Sequence, residues 1–223
     1  MKTLVKAIAI ASLASAAAVA QAEVTATLGV NSSYMFRGIE LADGNTTYAQ
    51  LGFDMAGLSV GVTVTDSDGT AGGNAGPVGA NTETDIAIGY TASVLGTDVS
   101  LSYTDYEYNF GNGNDGEGQT EFAVGITASG LAITYIDGED TLTGQDVDYD
   151  VLTLGYTVGN VDITLGAFDS DDGTEYNYYE IGTGTELFGL DASVMLTNTF
   201  SEDGGVAEGG STLVVGVSKS LDL

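Results

Sequence analysis

Apolar residues alternate with small or polar residues along most of this chain, with a period of two. Residues 130–140 show the repeating unit: a glycine turn, a strand in which Leu131, Ile133 and Tyr135 share one face, and an acidic loop. Side chains two apart in a strand point to the same side. The pattern therefore predicts an amphipathic β-strand that ends in a polar loop.

The same unit recurs at intervals of roughly 30 to 40 residues, a spacing that suits one hairpin and its return strand. Each copy begins with a tight turn and ends in a longer connection rich in Asp, Gly, Asn and Ser. The other copies open at Gly57, Gly96, Gly159 and Gly189. Short connections at one end and long ones at the other are typical of outer-membrane barrels with short periplasmic turns.

The alternating segments predict about twelve strands of ~10 residues, joined by five tight turns and six longer loops. A closed sheet of this size encloses a lumen that mid-sized aliphatic side chains could not fill, so we place them outward, in lipid. Gly, Ser, Thr and Asp then face a water-filled interior. The sequence predicts an all-β fold, a transmembrane antiparallel β-barrel with short periplasmic turns and longer extracellular loops.

The first 22 residues have the features of a secretory signal peptide. Lys2 and Lys6 precede an alanine-rich apolar run, 7–20, and Ala20-Gln21-Ala22 has the small-residue spacing of a cleavage site. The run is shorter than the ~20 residues that a spanning helix needs, which disfavours a membrane anchor. We predict that residues 1–22 are cleaved and that 23–223 form one barrel domain in the bacterial outer membrane.

The charge of the chain excludes several classes of function. The formal net charge is −28, from 4 basic and 32 acidic residues, and becomes −30 when Lys2 and Lys6 leave with the signal peptide. So acidic a protein is not expected to bind nucleic acid. Histidine and cysteine are absent, which removes the usual general base and the commonest zinc ligands. We expect no enzyme, no metal and no cofactor.

The segment Tyr34-Met35-Phe36-Arg37-Gly38 resembles the TorF-type porin family, whose N-terminal strand ends in Y-x-F-R-G. The resemblance extends to NTTYAQLGFDMAGLSVGV and to the closing VVGVSKSLDL. It implies an outer-membrane β-barrel of porin type and no enzymatic activity. It also implies the barrel assembly machinery as a partner, although Leu223 stands where such barrels commonly end in an aromatic residue.

Arg37 is the sharpest single candidate, because one guanidinium at the mouth of a carboxylate-lined lumen can pair with those carboxylates or shape a constriction. The pattern favours a simpler role, in which Arg37 stabilises the first outward loop by pairing with Glu40 or Asp43. Phe36 is predicted to be a girdle residue and Gly38 a turn residue. The inward positions predicted to line the pore are Asp54, Asp162 and Asp191.

Tyrosines cluster near the loop ends of the predicted strands, where an aromatic girdle would lie. Ordinary enrichment of tyrosine in strands is the alternative for any one of them. The set is Tyr34, Tyr103, Tyr106, Tyr108, Tyr135, Tyr176, Tyr178 and Tyr179.

The acidic loops at 66–69, 138–140 and 169–175 contain clustered oxygen ligands that Ca²⁺ or Mg²⁺ could bind. Their spacing is not that of an EF-hand, and no helix is predicted beside them. Solvated hairpin loops, in which Asp, Gly and Asn supply turn geometry, are the favoured interpretation.

Together these patterns predict a porin-like channel for passive diffusion of small hydrophilic solutes, with a preference for cations. The alternative is a non-conducting structural or adhesive barrel, plugged by an inward-folded loop such as 66–81. In either case the partners are outer-membrane lipid and, for a channel, small solutes or cations. The pattern does not distinguish an oligomeric state.

Overall fold

The computed structural model describes residues 22–67, 82–109, 118–141, 146–200 and 211–223. The predicted signal peptide, apart from Ala22, lies outside the described residues, and so do 68–81 and 110–117. Within the described residues no helix is long and apolar enough to cross a membrane.

Twelve antiparallel strands form a closed barrel in the order β1-β14-β13-β12-β11-β10-β9-β8-β7-β6-β5-β4. The ring closes because β1 pairs with β14 on one side and with β4 on the other. This confirms the predicted fold class. The barrel strands are β1 (Glu23–Asn31), β4 (Thr46–Met55), β5 (Leu58–Ser67), β6 (Thr82–Val94), β7 (Thr97–Asn109), β8 (Gly118–Ala128), β9 (Leu131–Asp140), β10 (Val147–Val158), β11 (Val161–Ser170), β12 (Glu175–Leu187), β13 (Leu190–Phe200) and β14 (Thr212–Asp222).

Two further strands, β2 (Tyr34–Phe36) and β3 (Ile39–Ala42), pair only with each other. They lie in the connection between β1 and β4, for which the sequence pattern predicted a loop. Residues 34–42 are called the inner hairpin below.

Two-residue turns join five pairs of consecutive barrel strands at one end of the barrel, called the turn end, and the longer connections all lie at the other, the loop end. In the β6–β7 turn both central residues have positive φ, 53° at Leu95 and 82° at Gly96. Positive φ at both positions defines the type I′ turn, whose twist matches that of the flanking strands. Leu95 adopts the left-handed conformation at the first position, and glycine suits the second because residues with a Cβ rarely adopt a φ near 82°.

An apolar belt surrounds the barrel. The aliphatic register of each strand is exposed on the outer face, as at Leu28, Leu51 and Leu213, while the alternate register faces inward. A closed sheet has no unpaired edge, and its outer face is apolar, which together allow β-structure to lie in a bilayer. The protein is therefore an outer-membrane β-barrel, as the sequence predicts.

We expect Leu101→Arg to lower the free energy of unfolding by about 2–4 kcal/mol, because Leu101 lies in this belt and is 46% exposed on the outer face. The matched control is Leu95→Arg, since Leu95 is fully exposed in a turn. Urea titration of both variants folded in lipid vesicles measures the effect. An equal loss of stability in the two variants would contradict a lipid-facing belt.

The two halves of the interior differ. Near the turn end the inward positions are mostly small, as at Gly61, Ser100 and Gly155. Near the loop end they carry large side chains that pack into a cluster inside the barrel. The cluster consists of Ile136, Tyr149, Val151, Tyr176 and Tyr178, with Ile39, Ala123 and Phe168 packed against it.

Candidate functional site: a hairpin inside the barrel

The inner hairpin folds into the lumen. Its two-residue turn, Arg37-Gly38, has φ of 49° and 81°, so it has the same left-handed signature as the β6–β7 turn. Tyr34 and Arg37 bond to inward residues on β6 and β8, and Gly38 lies against Tyr178 on β12 and Thr199 on β13. The tip of the hairpin therefore reaches across the lumen and fills part of the half that is nearer the loop end.

Arg37 makes an ion pair with Glu121 on β8, with Nη2 donating to Oε1 at 2.5 Å. The remaining bonds to this carboxylate come from Tyr149 at 2.6 Å and Tyr106 at 3.1 Å. The Arg37 guanidinium also lies 4.5 Å from the ring centroid of Phe36 and 5.8 Å from that of Tyr149, both within cation–π range. A single carboxylate thus joins the hairpin to three strands of the wall, β7, β8 and β10.

Burial lowers the pKa of Arg37, but the attraction and hydrogen bond of the Glu121 carboxylate, together with Tyr106 and Tyr149, outweigh burial and leave the pKa above its ordinary value. The guanidinium therefore stays charged at any pH at which the barrel is studied. Sequence reasoning favoured Glu40 or Asp43 as the partner and did not foresee Glu121, which lies 84 residues along the chain.

Tyr34 and Phe36 of β2 also contact the wall. The Tyr34 hydroxyl donates to Glu83 Oε1 at 2.6 Å. The Phe36 ring meets Tyr106 edge-on, with centroids 6.0 Å apart and planes at 79°. Phe36 therefore lies inside the barrel, which corrects its predicted place in an outward girdle.

Gly38 fits tightly against the opposite wall. A Cβ at this position would lie 2.6 Å from Cβ of Tyr178 and 2.9 Å from Cγ2 of Thr199. Its backbone N–H also bonds to Glu180 on β12. Gly38 is a turn residue, as predicted, and it is also the point at which backbone touches the far side of the lumen.

An aromatic row runs along the inner wall beneath the hairpin. The Phe168 ring stacks between Tyr149 at 5.2 Å and Tyr176 at 4.8 Å, and Tyr178 follows Tyr176 at 6.3 Å. Glycine makes room for these rings, because a Cβ at Gly166 would lie 2.1 Å from the Tyr178 ring, which is directly opposite in register.

These tyrosines correct the predicted girdle. Tyr106, Tyr108, Tyr176 and Tyr178 are buried inside the barrel, whereas Tyr103 and Tyr135 lie exposed on the outer face. The signal for this division is in the sequence. In β7 the buried tyrosines continue the small, polar register of Ser100, Ser102 and Thr104, while Tyr103 continues the aliphatic one.

The predicted pore positions Asp54, Asp162 and Asp191 all fall in the inward register, and all lie at the turn end. Thr157 donates to Asp162 at 2.7 Å. Two pairs of carboxylates stand directly opposite each other here, Glu23 with Asp54 and Glu186 with Asp191. The inward acidic residues of this end, called the acidic rim, are Glu23, Asp54, Asp98, Asp162, Glu186, Asp191 and Asp222.

The structure corrects two of the predicted acidic loops, because 138–140 forms the end of β9 and residues 66 and 67 form the end of β5. The third, 169–175, contains a turn at residues 171–174 between β11 and β12. In the 171–174 connection the Thr174 N–H donates to Asp172 Oδ1 at 2.9 Å, which lowers the pKa of Asp172. Gly173 closes the turn with φ of 88°. Within the described part of the chain, no group of three or more acidic side chains has the geometry of a metal site. Residues 68 and 69 of the first acidic loop lie outside it.

The barrel is similar to solved structures of membrane proteins. One, described as "Unveiling the Mechanism Behind the in-meso Crystallization of Membrane Proteins", has a TM-score of 0.54 at 6% identity and covers 90% of this chain and 84% of its own. The KdgM porin has a TM-score of 0.49 at 10% identity, with coverage of 90% and 99%. The Salmonella typhi OmpF complex with daunomycin has a TM-score of 0.40 at 10% identity, with coverage of 90% and 97%.

At 6% identity, the similarity to the first of these structures supports the barrel fold but no conclusion about function. No curated protein matches the sequence. A family model described as "Bacterial protein of unknown function (Gcw_chp)" matches residues 15–203. Since this match covers most of the chain, the protein belongs to the Gcw_chp family.

Proposed function

We propose that the protein is a porin-like channel through which small hydrophilic solutes diffuse passively, with a preference for cations. The observation that carries the proposal is the turn-end half of the inner face of the closed twelve-strand barrel, which is polar and lined by the acidic rim. A barrel of this size encloses more space than its small turn-end side chains can fill. The resemblance to TorF-type porins supports the same function.

The preference for cations follows from the distribution of charge. After the predicted signal peptide the chain has two basic residues, Arg37 and Lys219. Lys219 is in the outward register and donates to the Gly189 carbonyl at 2.7 Å, so Arg37 is the positive side chain of the interior. Carboxylates concentrated at a mouth with low-dielectric walls raise the local concentration of cations and repel anions.

The inner hairpin is the constriction of this channel. It holds the guanidinium of Arg37 against the wall, where Glu121 neutralises it. The narrowest level therefore carries a neutralised charge pair, while the acidic rim concentrates several carboxylates. We infer that the rim sets ion preference and that the hairpin sets the size of the solute that passes.

We expect the triple variant Asp54→Asn, Asp162→Asn, Asp191→Asn to lower the K⁺/Cl⁻ permeability ratio by about threefold, because it removes part of the focused negative potential at the mouth. Reversal potentials of single channels under a KCl gradient measure this ratio.

The control carries the same change of charge on the outer face, with Asp137, Asp148 and Asp169 replaced by Asn, since these three are exposed near the loop end. It should leave the ratio close to that of the wild type. Anion preference in the wild type, or an equal fall in both triple variants, would contradict the role of the rim.

The inner hairpin also favours a second candidate, a non-conducting structural or adhesive barrel. The side chains of the hairpin occupy the half of the lumen nearer the loop end, where Ile39 packs against the aromatic row. A plugged barrel would give no conductance steps in the wild type and would give them when the hairpin is displaced. Outer-membrane lipid and the barrel assembly machinery remain the proposed partners in both cases, and we propose no enzymatic activity in either.

A further inference from the structure

Two buried carboxylates on β6 belong neither to the hairpin nor to the acidic rim. Glu83 and Asp85 are two residues apart, so both enter the lumen, where they are 3% and 5% exposed. The residues directly opposite them on β5 are Thr65 and Thr63, both buried. Four oxygen-bearing side chains therefore stand together on the inner wall.

These carboxylates are incompletely bonded. Glu83 Oε1 accepts from the Tyr34 hydroxyl at 2.6 Å. The second oxygen of Glu83, Oε2, and Oδ1 of Asp85 are buried and have no hydrogen-bond partner among the described residues. A buried carboxylate oxygen without a donor is costly, and such an atom in a folded protein points to a bound group that supplies the missing interaction.

Among the described residues no basic side chain supplies it. Lys219 bonds to the Gly189 carbonyl on the outer register, and the Arg37 guanidinium is bound to Glu121. Two carboxylates taken out of water without a counter-ion do not remain ionised unless a cation joins them. The group that neutralises the pair, a cation or a proton shared between Glu83 and Asp85, therefore comes from solution.

We propose that Glu83 and Asp85 bind a divalent cation of the Ca²⁺ class inside the barrel, with the hydroxyls of Thr63 and Thr65 as additional oxygen ligands. Two carboxylates balance the charge of such an ion, and hard oxygen donors are the ligands that it prefers. Ca²⁺ suits the site better than Mg²⁺, since it tolerates irregular geometry. The site does not require that the barrel conduct, so it stands apart from the proposed function.

Tyrosine-sensitised luminescence of Tb³⁺, used as a Ca²⁺ analogue, tests the proposal on folded protein extracted in detergent and stripped with EDTA. The chain has 12 tyrosines and no tryptophan, and Tyr34 bonds directly to Glu83. We expect saturable emission that Ca²⁺ competes away. The double variant Glu83→Gln, Asp85→Asn should weaken Tb³⁺ binding at least about tenfold, and Asp85→Asn alone serves if the double variant does not fold.

The control is Asp137→Asn, Asp150→Asn. These two carboxylates also stand directly opposite each other, and Tyr135 donates to Asp150, but they lie on the outer face. Tb³⁺ affinity in this control should equal that of the wild type. Absence of saturable emission, or an equal loss in the two double variants, would overturn the proposal and leave a shared proton as the group between Glu83 and Asp85.

Discussion

Replacing Arg37 with methionine should release the inner hairpin from the wall and increase single-channel conductance. The side chains of Arg37 and Glu121 are only 9% and 6% exposed, so the variant leaves a buried carboxylate with no opposite charge. Breaking such a pair from one side costs about 3–5 kcal/mol. The barrel can avoid that cost by moving the hairpin aside and admitting water to Glu121.

Two further variants identify the cause of any change. Lys219→Met removes the other basic residue, which is exposed and bonded to a turn carbonyl, and should leave conductance unchanged. Adding Glu121→Gln to Arg37→Met should recover part of the lost stability, because the unpaired charge is gone. If Arg37→Met has wild-type conductance and stability, the ion pair does not hold the hairpin.

Gly38→Ala should displace the hairpin by a different route, with a comparable increase in conductance. The added methyl group would lie 2.6 Å from Tyr178 and 2.9 Å from Thr199, closer than non-bonded carbon atoms can approach, and the residue has φ of 81°. The left-handed conformation alone costs an L-residue roughly 1–2 kcal/mol. The clash adds to that cost.

Gly96→Ala separates the cost of the left-handed backbone conformation from the cost of the steric clash. Gly96 has nearly the same φ, 82°, but a Cβ there would meet no atom within 4 Å. The Gly96→Ala variant should therefore lose only the stability due to backbone strain, and it should keep the conductance of the wild type. Urea titration in vesicles and single-channel recording compare the variants. Identical losses and identical conductance in the two would show that Gly38 does not fit closely against the wall.

The barrel was predictable because its determinants are local in sequence. Each strand alternates with a period of two, and each tight turn is marked by glycine, so strand number and register follow without knowledge of long-range contacts. The position of the rim carboxylates also has a local cause. Asp98 and Asp191 each stand two residues after a turn glycine, Gly96 or Gly189, and such a residue must lie at the mouth.

The inner hairpin was not predictable in the same way. Its position depends on contacts between residues far apart in sequence, 84 residues for Arg37 with Glu121 and 49 for Tyr34 with Glu83. Nothing in the alternation of residues 34–42 distinguishes a strand pair inside the lumen from an outward loop. The one overlooked signal is the register of Tyr106 and Tyr108, which places bulky side chains on the inner face of β7.

Single-channel recording of the wild-type protein in a planar bilayer tests the central claim most directly. The protein must first be shown to be folded, by its shift in mobility on heating in detergent gels. Discrete conductance steps, with a reversal potential that favours K⁺ under a KCl gradient, are the result that we predict. Folded protein that gives no steps would contradict the channel and assign the barrel a structural role, closed by the inner hairpin.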